Sequence, residues 1–152
     1  MPLPININDL ITGHTVEWDR IEFKEGWNPE AVLHTTCAFA NDINNWGGGY
    51  IIIGIAENNG MPVLPPKGLN SAQIDKIQKE LIQITHHIDP LYSPVSEPVL
   101  YQAKQILIVW APGRQTRPYK ASSTLSAKGS TKQYYIRRGS TTVIANHAEK
   151  NN

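Results

Sequence analysis

A chain of 152 residues that is 40% apolar and 18% charged is long enough to bury one hydrophobic core and too apolar for an intrinsically disordered segment. No stretch approaches the roughly 20 apolar residues needed to span a bilayer, and MPLPININDL lacks a basic start and an apolar signal core, which points to the cytoplasm. One cysteine, Cys37, rules out an intrachain disulfide or a thiolate metal cluster, and the net charge of +1 conceals a marked asymmetry. Residues 1–76 carry four Lys/Arg against nine Asp/Glu, and residues 77–152 carry ten against four. Lys104, Arg114, Arg117, Lys120, Lys128, Lys132, Arg137 and Arg138 follow one another without an intervening acid. That pattern predicts an anionic partner on one face and a carboxylate-lined site on another.

In chain order, Ile21-Glu22-Phe23-Lys24 predicts a strand with Ile21 and Phe23 inward and Glu22 and Lys24 sharing the other face. Asn28-Pro29-Glu30 opens a helix: an N-cap, a proline at the first helical position, and an acid facing the positive end of the dipole. Val32, Leu33, Thr36, Cys37 and Ala40 then recur at helical spacing up to about Asn41, which makes Cys37 a small core residue. Trp46-Gly47-Gly48-Gly49 breaks the chain, and Tyr50 to Ile55 predicts a central strand buried on both faces. Asn70 with Gln73 forms a capping box for a second helix, whose stripe of Ile74, Ile77, Leu81, Ile84 and Ile88 runs until Pro90. Strands are predicted over 95–101, 105–110 and 133–137, with a long polar loop over 113–131 and a short final helix after Gly139-Ser140. The whole is a single α+β domain, a mixed sheet packed by two main helices.

Two constellations carry chemistry. Glu17 and Glu22 converge only if the chain turns between them, and Glu57 approaches if the strand preceding it neighbours Ile21 to Lys24. Three such carboxylates would form a hard-cation site for Mg²⁺ or Mn²⁺, able to polarise a phosphodiester. The alternative is that they are surface or salt-bridged acids. The second constellation interleaves cations and aromatics: Lys24, Arg114, Arg117, Lys120, Lys128, Lys132, Tyr135, Arg137 and Arg138 are candidates to meet phosphates or stack on an unpaired base. On a strand, Tyr135 and Arg137 share a face, and one member of the Tyr134-Tyr135 pair belongs to the core. The glycine run is no phosphate loop, because the order is helix, loop, strand and GK[ST] is absent; tight turning and close packing are expected instead. The five histidines show no zinc spacing, and no nucleophile elbow is present.

The acid at Glu17 with EFK, then CAFAND, the glycine run, the strand ending in IGI and the late YYIRRGS resemble, in order and spacing, the Schlafen-type AlbA domain family. The resemblance runs from about Glu17 to about Ala145. It implies a nucleic-acid-binding module, DNA ahead of RNA, at the N-terminus of a bacterial transcriptional regulator or RecG-like protein, with further chain beyond it. The Schlafen branch implies a second function, metal-dependent RNA cleavage. Glu17 and Glu22 match the first two positions of its acidic triad, while Glu57 stands where Asp is usual and adds a methylene that displaces the ligand. Binding is placed ahead of catalysis. A third class, a protein-interaction or ligand-sensing domain, fits the near-zero total charge, and a homodimer is left open.

Overall fold

The computed structural model describes residues 6–12, 20–126 and 130–145. Its centre is a four-stranded mixed sheet in the order β1-β2-β7-β6, formed by β1 (Ile21–Lys24), β2 (Gly49–Ile53), β7 (Lys104–Ala111) and β6 (Val95–Tyr101). β1 runs parallel to β2 with Ile21 opposite Tyr50 and Lys24 opposite Ile53, whereas β2, β7 and β6 are antiparallel neighbours. A parallel pair needs a crossover, and α2 (Pro29–Asn41) supplies it. α2 begins as its sequence predicts: Asn28 Oδ1 accepts from the Ala31 N–H, and Pro29 occupies the first turn. α3 (Ser71–Ile84) carries the full capping box, with Asn70 and Gln73 each accepting from the other's N–H at 2.8 Å.

The core lies on both faces of this sheet. Ile51 and Ile53 of β2, with Leu107 and Val109 of β7, meet Val32, Leu33, Cys37 and Phe39 of α2 and Ile74, Ile77 and Leu81 of α3. The alternate residues Tyr50, Ile52, Ile106 and Ile108 pack on Leu10 and Ile11 of a short helix, α1 (Ile7–Thr12). Burial on both sides explains why β2 reads as a continuous apolar run; each fully buried isoleucine contributes about 2 kcal/mol. Cys37 is wholly buried, and loss of solvent pushes its thiol up to about 12.

Smaller strands cover the outer side of α2. β5 (Ile88–Asp89), β8 (Lys120–Ser122) and β9 (Lys132–Gln133) form one sheet, and β10 (Tyr135–Arg138) pairs with β11 (Thr141–Ile144) in a hairpin. β3 (Glu57–Asn58) and β4 (Met61–Pro62) make another hairpin. Here three expectations are corrected. The second helix does not run to Pro90: α3 stops at Ile84, a 3₁₀ turn covers Thr85–His87, and Ile88 is drawn into β5 opposite Ala121. The segment after Gly139-Ser140 is a strand, not a helix: Gly139 takes a φ of 58°, turning the chain back so that Thr141–Ile144 pairs with Arg138–Tyr135, as β-branched Thr141, Thr142 and Val143 favour. The stretch 113–131 is also no continuous loop, because Lys120–Ser122 is drawn between β5 and β9.

The glycine run works by close approach. A Cβ on Gly48 would lie 2.1 Å from the Ala111 carbonyl oxygen, and one on Gly49 would lie 2.4 Å from the Phe39 ring. Only glycine lets β2 enter the sheet under α2. Among the described residues, no helix is long and apolar enough to cross a membrane.

Candidate functional site

A groove of about 570 Å³ opens along β1 and is lined by Ile21, Glu22, Phe23, Lys24, Glu57, Asn59, Gly60 and Ser140. Backbone bonding explains why Glu57 reaches it. The Lys24 carbonyl accepts from the N–H groups of Gly54 and Ile55, at 2.7 and 3.3 Å, so the chain leaving β2 is held against the last residue of β1. The β3–β4 turn, with Asn59 and Gly60 at φ of 52° and 81°, then carries Glu57 over the same opening. Glu22 and Glu57 therefore line one groove. Glu17 lies outside the described residues, and among those described no three His, Cys, Asp or Glu side chains are grouped to hold a metal.

Glu22 is held by two cations. Its Oε2 lies 3.3 Å from Lys24 Nζ, and its Oε1 accepts from Arg137 Nη1 at 3.3 Å. Alternation along β1 puts Glu22 and Lys24 on one face, as the strand pattern predicts. Arg137 is 4% exposed and is spent on structure. Nη2 donates to the Ile21 carbonyl at 2.9 Å, Nη1 donates to Thr142 Oγ1 at 3.1 Å, and the guanidinium sits 5.0 Å from the centre of the Phe39 ring. It ties β10 and β11 to β1 and α2, beneath the groove and not facing an incoming phosphate. Arg137, a candidate phosphate ligand from its place in the basic run, lies buried between four elements, where it neutralises the carboxylate of Glu22 from within.

Tyr135, the candidate for base stacking, is likewise taken up within the fold. It shares the inner face of β10 with Arg137, is 7% exposed, and stacks on His34 with ring centres 4.0 Å apart. Burial raises its phenol above the ordinary range, and one face of its ring is covered by His34. Arg117 is exposed, but its guanidinium is engaged at the end of α2, where Nη1 donates to the carbonyls of Asn41 and Asp42. Lys120 lies 4.0 Å from Asp89, and Arg114 sits 5.6 Å from the centre of the Tyr92 ring. Lys132 and Arg138 are exposed, and Lys128 lies outside the described residues. The cations that follow one another in sequence are thus spread over several elements, while the groove itself draws on Lys24.

Asn59, Gly60 and Ser140 enter the site without having been singled out as site residues. The turn signal Glu57-Asn58-Asn59-Gly60 is visible in sequence, but the return of β10 that delivers Ser140 is a tertiary event. A lysine ammonium, a serine hydroxyl and an asparagine amide can donate to phosphate oxygens, and the carboxylates can accept or bind a hard cation.

The family model described as Schlafen, AlbA_2 matches residues 17–146. No curated protein matches the sequence. Among solved structures, the chain is similar to the N-terminal domain of a protein described as ATP-dependent DNA helicase RecG-related, from Nitrosomonas europaea, with 26% identity and a TM-score of 0.55, covering 91% of this chain and 94% of that domain. It also shares its fold with the DIP2311 protein of Corynebacterium diphtheriae, at 15% identity and a TM-score of 0.57, with 94% of this chain covered but only 30% of that one. With the family model matched across most of its length, the chain belongs to the Schlafen, AlbA_2 family.

Proposed function

We propose that this domain binds nucleic acid, DNA in preference to RNA, through the groove along β1, and that it serves as the N-terminal module of a longer bacterial transcriptional regulator in the cytoplasm. The observation that carries this reading is its similarity, nearly end to end, to the N-terminal domain of a RecG-related protein of the DNA helicase class. The groove supplies the chemistry for it, since Lys24 and Ser140 stand at its wall as donors. In this reading Glu22 orients Lys24, and Arg137 offsets the charge of Glu22 so that a phosphate can approach.

A metal-dependent ribonuclease is the second reading, favoured by one observation: Glu22 and Glu57 line the same groove. Against it stand the two cations already within 3.3 Å of Glu22, because a divalent ion would have to compete with both. Incubating the protein with labelled duplex DNA and labelled tRNA, with and without Mn²⁺, separates the two. Binding to DNA without cleavage of either substrate is expected, along with several-fold weaker DNA binding by Lys24→Gln on every sequence alike. A melting temperature that climbs with Mn²⁺ concentration, and tRNA cleavage that Glu57→Gln abolishes, would establish the nuclease instead.

A further inference from the structure

The loop between α2 and β2 carries an aromatic side chain that neither core cluster claims. Trp46 is 48% exposed, yet the backbone around it is tied at several points. Asp42 Oδ1 accepts from the Trp46 N–H at 2.8 Å, and Oδ2 accepts from the Gly47 N–H at 2.9 Å. Arg117 reaches over the same loop, with Nη2 donating to Asn45 Oδ1 at 2.5 Å, while Arg20 Nε donates to the Gly48 carbonyl at 3.1 Å. Arg117 also covers the last carbonyls of α2, which offsets the negative end of that helix dipole. The indole is therefore presented on a loop already ordered, so covering it costs little further entropy.

Among the described residues, the charge beside it has one sign available to a ligand. Arg20 shares a small cleft with Trp46, and Arg117 is exposed but held to the same loop through Asn45 and the carbonyls of Asn41 and Asp42. The carboxylate that contacts the loop, Asp42, is occupied by the two backbone N–H groups and its side chain is only 12% exposed. An exposed aromatic plane with a guanidinium beside it suits a nucleotide whose base stacks and whose phosphate meets the arginine. We propose that Trp46 is a stacking platform for an unpaired nucleobase, with Arg20 facing a flanking phosphate and Arg117, held by α2, ordering the loop that presents the indole. This rests on the nucleic-acid reading above and specifies single-stranded DNA, or a frayed end, as the ligand of this loop.

The test uses the unaltered chain and two variants, with oligothymidylate and a duplex closed by hairpins at both ends. Trp46→Leu, which keeps bulk and loses the π-face, weakens oligothymidylate binding by roughly 5- to 150-fold, the range that base–aromatic stacking spans. Duplex binding stays within about twofold, and Trp46→Phe restores most of the single-strand affinity. Photocrosslinking of the unaltered chain to an oligonucleotide carrying 5-iododeoxyuridine places the adduct on Trp46, a readout that does not depend on any variant folding. Unchanged affinity in Trp46→Leu, an equal loss on the closed duplex, or adducts confined to other residues would each overturn the stacking role while leaving nucleic-acid binding intact. Absence of binding to any oligonucleotide by the unaltered chain would remove the underlying reading as well.

Discussion

Asn41, at the end of α2, satisfies three backbone groups with one amide. Its Nδ2 donates to the carbonyls of Tyr119 and Tyr135 at 2.9 and 2.7 Å, and its Oδ1 accepts from the Tyr119 N–H at 2.5 Å. The residue is buried, and only the weak Cys37 thiol, 3.4 Å from the Tyr119 carbonyl, shares any of these groups with it. Replacing Asn41 with leucine fills similar volume and orphans the Tyr135 carbonyl and the Tyr119 N–H, leaving the Tyr119 carbonyl only that thiol; the expected loss is about 2 kcal/mol, measured by urea unfolding. A loss within about 0.5 kcal/mol would mean that the segment 119–135 does not depend on α2. Asn41 and Arg137 show where single residues mislead. In sequence, Asn41 reads as the end of a helix and Arg137 as part of a basic run, because burial of a polar group depends on which partners the fold returns to it. Cys37 was legible for the opposite reason: an apolar helical stripe dictates its own burial.

At the scale of elements, both ends of α2 and the start of α3 were legible to within a residue or two, since caps and periodicity are local signals, whereas α3 stops at Ile84 because Ile88 is taken into β5 by pairing with β8. The final hairpin was not legible, because Gly139-Ser140 breaks a chain without specifying whether a helix or a strand comes next. The start of α2 also bears a contact that sequence does not announce. Glu30 Oε1 accepts from the Leu125 N–H at 3.0 Å, joining the helix to the chain just beyond β8. That backbone hydrogen bond, aided by Thr124, holds the Glu30 carboxyl below its ordinary value of 4.5. A carboxyl lowered in the folded state contributes stability that is fully present above its unfolded value and is lost as pH falls through the folded one. Acid titration of stability should therefore show a loss beginning near pH 4.5 and continuing below it. Glu30→Gln should flatten that part of the curve, as followed by thermal melts at successive pH values. Identical slopes for the two proteins would remove Glu30 from the acid response.

For the whole molecule, charge in sequence and charge in space part company. Eight cations between Lys104 and Arg138 look like one phosphate-binding face. β7 separates the first two, however, with Lys104 at its start and Arg114 beyond its end; at about 3.4 Å per residue they are more than roughly 20 Å apart. Arg137 is buried beneath the groove, and Arg117 is bound to the end of α2. A duplex lying along one side of the domain can therefore meet only part of the run. Each phosphate neutralised contributes about −0.9 to the log–log dependence of affinity on salt, so contact by three or so cations predicts a slope on the order of −3. Fluorescence anisotropy on a labelled duplex from low to moderate salt measures it. A slope twice as steep would mean that cations this far apart converge on the DNA after all, through bending of the duplex or a second copy of the domain. A slope near zero would mean that phosphates are not the ligand of the groove, and Lys24 and Ser140 would then have to be explained by a neutral ligand.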